Sequence, residues 1–230
     1  MDKIYLTNIF IIDWDDTLFP TNWVTKNNID ITNIDSYNKY KLFFIELDNI
    51  LSNVINSLNK LGNVFIVSNA SISWIRNCLT ILPYTNKLIN AFGINVISAR
   101  DNFFSKNSST SNSEKVSTFN PEKVSAIEWK VACFQDVLVN ILDNITGKFN
   151  EKNYLNIISI GDANYEYIAL LNLNNFFQIN KLDINYFLKS IKFIEKPEFN
   201  IIIEQLITLK KNIQMIVNKL QFVDLNLVLN

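Results

Sequence analysis

The sequence predicts a doubly wound α/β domain, a parallel sheet covered by helices on both faces, and three observations carry that prediction. The stretches TNIFIID (7–13), NVFIVSN (63–69), INVIS (94–98) and YLNIISIGD (154–162) are apolar runs without polar alternation, as expected of strands buried on both sides. Helical patterns separate them, so the strands run parallel through right-handed crossovers. Each run also ends in polar or charged residues: Asp13, then Ser68-Asn69, then Ser98-Ala99-Arg100, then Gly161-Asp162. In open parallel sheets, ligands bind beyond the carboxyl ends of the strands, so these ends form a candidate site.

The remaining elements follow in order. An amphipathic helix is expected over 48–62, stopped by Gly62, and helical pieces over 72–82 and, after Pro83, to about 92. From 121 to about 142 the pattern is helical again. A short helix is expected over 164–173, with strands at 176–179 (FFQI) and 185–194. Pro197 opens a final helix to about 220, and QFVDLNLVLN (221–230) is expected to return as an edge strand. The one composition break is the Ser- and Asn-rich stretch at 105–120, expected to be a flexible loop, with a mobile lid on the active edge or a modification site as the alternatives. With 230 residues and 48% hydrophobic content, the chain suits one three-layer, Rossmann-like domain spanning 1–230.

Composition narrows the chemistry. There is no histidine, which excludes Ser-His-Asp and Cys-His catalysis and His-ligated zinc. Four dispersed glycines form no phosphate-binding Gly-rich loop. Lys+Arg number 21 against 22 Asp+Glu, and without a basic block the balance argues against a nucleic-acid or anionic-membrane partner. No apolar run reaches the ~18 residues of a membrane span, and two distant cysteines behind no signal-peptide pattern point to a reducing, cytoplasmic compartment. Catalysis must therefore rest on carboxylates, hydroxyls, lysine and a borrowed metal.

The segment FIIDWDDTLFPTNW (10–23) crowds Asp13, Asp15 and Asp16 into four positions. Their repulsion costs energy unless a cation or a chemical task offsets it. A carboxylate at a strand end can attack phosphorus and hold it as an aspartyl-phosphate. A second carboxyl two residues on can protonate the leaving oxygen and then activate water. Two anions facing a phosphate require a hard divalent cation, for which Mg²⁺ is suited. Asp162 is placed to complete its coordination, and Glu166 lies one helical turn further on the same face. Ser68, Asn69 and Lys130 supply the donors and positive charge for the phosphate. Asp16 is expected to be exposed and to stabilise the turn.

In this order the segments DWDDT, IVSN, Lys130 in AIEWK, and GDANYE resemble the four motifs of the haloacid dehalogenase superfamily. The resemblance covers residues 7 to about 170. It implies Asp13 as nucleophile, Asp15 as general acid/base, Thr17 as supporting hydroxyl, and Ser68 and Lys130 as phosphate ligands. Mg²⁺ is then held by Asp13, the Asp15 carbonyl and Asp162, with Glu166 standing where the family usually has Asp. An acid at Asp15 separates phosphoryl-transfer members from dehalogenases, since a halide leaves without a proton. The implied function is a Mg²⁺-dependent phosphatase; the alternatives are a phosphotransferase and a non-catalytic binding or regulatory module of the same fold.

Relatives of this type select substrates with cap domains after strand one or strand three. Only about 45 residues separate Thr17 from the second strand, part of them the crossover helix, so the cap is expected to be minimal or absent and the substrate bulky. Trp23 and Phe19 either line the entrance or pack inward, and Trp74 and Arg76 either reach the site or pack. Arg100 is either a leaving-group contact or half of a structural ion pair. Along the last helix the apolar seam is compatible with a dimer, but Ile203 and Val217 widen it in favour of packing within the chain.

Overall fold

The computed structural model describes residues 4–109, 125–145 and 152–227. Six strands form one all-parallel sheet: β1 (Tyr5–Ile12), β2 (Asn63–Ser68), β3 (Asn95–Ser98), β4 (Asn153–Gly161), β5 (Asn185–Lys192) and β6 (Val223–Asn226). Their order, β3-β2-β1-β4-β5-β6, is that of a Rossmann-like fold, in which the chain reverses its winding between β1 and β4. The helices are α1 (Thr21–Lys26), α2 (Ile34–Leu61), α3 (Ile72–Thr80), α4 (Pro83–Ala91), α5 (Ala99–Ser109), α6 (Ala126–Ile145), α7 (Asn164–Ile179) and α8 (Phe199–Asn218).

Period-two side chains explain the three layers. Phe10, Ile12, Val64, Ile66, Ile158 and Ile160 point to one face, where α2, α3, α4 and α8 cover them. Ile9, Ile11, Val67, Leu155 and Ile157 point to the other, under α5, α6 and α7. Cys78 belongs to the first layer and Cys133 to the second; both thiols are free and buried. Among the described residues no helix is long and apolar enough to cross a membrane.

Several sequence expectations shift. The crossover helix starts at Ile34, not 48, because Asn33 Oδ1 accepts from Asp35 and Ser36 N–H at 3.0 Å each and so caps it earlier. The FFQI segment is not a strand but the last turn of α7, held there by Phe177 stacking on Tyr186 with centroids 4.1 Å apart. The expected loop at 105–120 begins inside α5, and its remainder from 110 lies outside the described residues. Residues 223–226 do form an edge strand, parallel to β5. The α8 seam, including Ile203 and Val217, is buried within the chain's own core, so that face is already covered.

Candidate active site

β1 and β4 pair so that Ile12 lies opposite Ile160, and the Asp13 amide continues the ladder to the Ile160 carbonyl at 2.9 Å. The reversal of winding therefore sets Asp13 and Asp162 side by side on adjacent strand ends. From β2, Ser68 follows the same edge, because Ile66 pairs with Ile12. Lys130 arrives from α6 across the second face of the sheet. Its Nζ lies 2.6 Å from Asp13 Oδ1, 2.6 Å from the Val67 carbonyl and 2.7 Å from Glu166 Oε1. The ammonium is 1% exposed. Burial alone would lower its pKa, but the Asp13 and Glu166 carboxylates outweigh that and hold it above the ordinary lysine value.

Asp15 is the most heavily clamped of the three clustered aspartates. Thr21 Oγ1 donates to its Oδ1 at 2.5 Å, Trp74 Nε1 to the same oxygen at 3.0 Å, and Ser68 Oγ to Oδ2 at 3.0 Å. Ser68 Oγ also accepts from Ala70 N–H at 3.1 Å. Beneath this loop stands an aromatic column: Phe19 stacks between Trp14 and Phe44 with centroids 6.0 and 6.2 Å apart, and meets Trp74 edge-on at 5.9 Å. These rings are what hold the loop after β1 in one shape.

Asp16 is buried, contrary to the expectation of an exposed turn residue. Its backbone takes φ 55°, a conformation open to Asp, and its carboxylate turns inward to accept from the Asn22 amide at 2.8 Å and from the Asn22 side chain. In this way it caps α1. Burial raises the Asp16 pKa, against the two Asn22 bonds. Asp13 is likewise raised by burial, opposed by Lys130 and reinforced by Glu166. Asp162 is pushed up to about 7 by burial, then by Glu166 and Asp16.

The other expected site residues divide. Thr17 is fully buried beside the cluster, and its hydroxyl has no partner among the described residues. Asn69 donates from its side chain to the Ala126 carbonyl at 3.2 Å, tying β2 to the start of α6 and Lys130. Glu166 Oε2 is buried without a hydrogen-bond partner among the described residues. Trp23 does not line an entrance; it packs on Phe199 and Phe43 with centroids 5.0 and 5.2 Å apart. Arg100 forms the structural alternative, an ion pair with Asp101 at 3.6 Å. Arg76 is exposed on α3. Thr21, which completes the clamp on Asp15, was not singled out in the sequence; Pro20 before it marks only the start of α1.

The donor set bears on a metal. Asp13, Asp15, Asp16, Asp162 and Glu166 gather at this end of the sheet with one buried ammonium, which pairs with Asp13 and Glu166, and three of the five, Asp13, Asp16 and Asp162, carry pKa values raised by a neighbouring carboxylate as well as by burial. Among the described residues no group of three acidic or thiol side chains converges as a complete metal cage. Mg²⁺ does not require one, since it accepts one or two carboxylates together with carbonyl and water oxygens. The uncompensated charge and hard oxygen donors fit such an ion. No family model and no curated protein matches this chain.

Proposed function

We propose that this protein is a Mg²⁺-dependent phosphomonoesterase of the haloacid dehalogenase type, acting through an aspartyl-phosphate. The single observation that carries the reading is the Lys130 ammonium, buried between Asp13 and Glu166 at the point where the sheet reverses its winding. A buried lysine bonded to a strand-end aspartate is what an anionic nucleophile facing an anionic substrate needs.

On this reading Asp13 attacks phosphorus and Asp15 gives a proton to the departing ester oxygen. Asp15 then takes a proton from the water that cleaves the aspartyl-phosphate. Ser68 hydroxyl and Lys130 hold the phosphoryl oxygens. Glu166 keeps Lys130 in place and charged. Asp13, the Asp15 carbonyl and Asp162 would hold Mg²⁺, which supplies charge neutralisation between nucleophile and phosphate when bound. Between β1 and α2 only α1 and its turns intervene, a segment too short for a large cap domain, which favours a bulky phosphorylated substrate.

The test is release of phosphate from an aryl phosphate by the wild type and Asp13→Asn, with and without Mg²⁺. Activity that needs both Asp13 and the ion is expected. Equal activity of Asp13→Asn would remove the nucleophile assignment and the reading with it.

A further inference from the structure

Three donors hold Asp15, and they differ in kind. Among the described residues Oδ1 receives Trp74 Nε1–H and the Thr21 hydroxyl, and Oδ2 receives only the Ser68 hydroxyl. An indole N–H donates and never accepts, whereas a hydroxyl rotates to do either. Oδ1 is therefore fixed as an acceptor. A proton placed on it would face the indole hydrogen and break that bond. Oδ2 faces a partner that tolerates either polarity, and that partner stands on the strand end next to Asp13.

Trp74 is itself held firmly. Its ring meets Phe19 edge-on at 5.9 Å, its amide is capped by Ser71 Oγ at 3.3 Å, and the amide of Ile72 in the same turn is bonded to Asp101 Oδ2 at 3.0 Å. The indole reaches Asp15 from a pre-organised helix turn, so little freedom is lost in keeping the bond.

We propose that Trp74, assisted by Thr21, is a positioning residue that fixes the Asp15 carboxyl so that Oδ2 carries the catalytic proton. The inference rests on the phosphatase reading above. In the first half-reaction an Asp13 oxygen forms a bond to phosphorus and the P–O ester bond breaks. Its electron pair stays on the ester oxygen, which takes the proton from Asp15 Oδ2 and leaves as the alcohol. In the second half, water gives a proton to Oδ2 and its oxygen attacks phosphorus. The bond to Asp13 breaks, and inorganic phosphate is released. With Oδ1 bound by two donors, both transfers use one oxygen without rotation of the carboxyl.

Leaving-group dependence separates this role from a merely structural one. Nitrophenyl phosphate departs with little protonation; phenyl phosphate, almost the same shape, needs the proton. The variants are Trp74→Phe, which keeps an aromatic ring, and Thr21→Val, which keeps the shape of the threonine and serves if the first variant fails to fold. The expected result is a kcat/KM on phenyl phosphate lowered by roughly tenfold or more and a kcat/KM on nitrophenyl phosphate lowered by less than about threefold, because kcat/KM ends at the aspartyl-phosphate and leaves out the water step that the two esters share. Equal losses of kcat/KM on the two esters in a folded variant, with an active wild type, overturn the inference and leave the phosphatase reading standing. A wild type that cleaves neither ester with Mg²⁺ present overturns that reading, and the inference falls with it.

Discussion

Glu166 lies across Gly161 so closely that a Cβ on residue 161 would stand 2.4 Å from Glu166 Cγ. Backbone and side chain share this space because β4 must end against the first turn of α7 for Glu166 to reach Lys130 at 2.7 Å. Gly161→Ala should displace Glu166 and cost about 1–3 kcal/mol of stability, with the proposed phosphatase activity falling alongside. In the double variant Gly161→Ala/Glu166→Ala the clash is gone, so the alanine penalty should shrink by roughly 1 kcal/mol. Urea denaturation of the four proteins in the cycle checks this; additive penalties would contradict it.

Lys130→Met leaves Asp13 and Glu166 buried without their cation. Breaking a buried pair in this way is expected to cost about 3–5 kcal/mol, more than the pair is worth relative to an apolar replacement. Adding Asp13→Asn and Glu166→Gln to Lys130→Met should recover part of the loss. Chemical denaturation midpoints decide it.

Asp48 illustrates a purely architectural acid. From α2 its two oxygens accept the Tyr84 and Thr85 amides of α4 at 2.9 and 2.8 Å, replacing the cap that Leu82 lacks. Asp48→Ala should destabilise the fold by about 1–3 kcal/mol while leaving kcat unchanged in the folded fraction. A lowered kcat at full folding would show that the cap also shapes the site.

Asp101 gives the clearest pH dependence. Its slight burial raises its pKa, but the Ile72 amide, the Ser98 hydroxyl and the Arg100 charge outweigh burial, so the folded value is lowered. A lowered folded pKa means that the contribution is complete above the ordinary Asp range, near pH 4, and is lost as pH falls through the folded value. The wild type should therefore exceed Asp101→Asn in stability at pH 5–7. The two thermal-stability curves should converge as the solution is acidified below about pH 4.

Mg²⁺ should raise Tm of the wild type and do so far less in Asp162→Asn. At an ion concentration 100 times Kd the stabilisation is about 2.7 kcal/mol. Thermal unfolding with and without chelator reads it directly. A shift of equal size in both proteins would place the ion elsewhere.

The sheet and the polar edge at its strand ends were legible because buried parallel strands leave an unmistakable pattern of unbroken apolar runs with polar ends. Residues 7–13 and 154–162 read as neighbours in function before the topology showed that they are neighbours in space. Less legible were features settled by tertiary contact. The first half of α2 exposes Leu42 and Ile45 and buries only Phe44 and Leu47 before Asp48, so its periodicity is faint. FFQI fits a strand or a helix turn equally well until Tyr186 is seen to stack on Phe177. Asp16 was misread because nothing local distinguishes a solvent-facing turn aspartate from one drawn inward by Asn22. Trp74 and Thr21 reach Asp15 from separate elements, and no spacing rule relates them.

The two thiols offer a way to watch the molecule come apart. Cys78 lies beneath the helices of one face and Cys133 beneath those of the other, and burial raises both, Cys133 to about 12. In the native fold neither should react with an alkylating reagent at neutral pH, because thiolate is scarce and access is blocked. Each becomes reactive only when its own layer opens. Mass spectrometry of singly labelled protein would therefore time the opening of each helical layer separately in the unmodified chain.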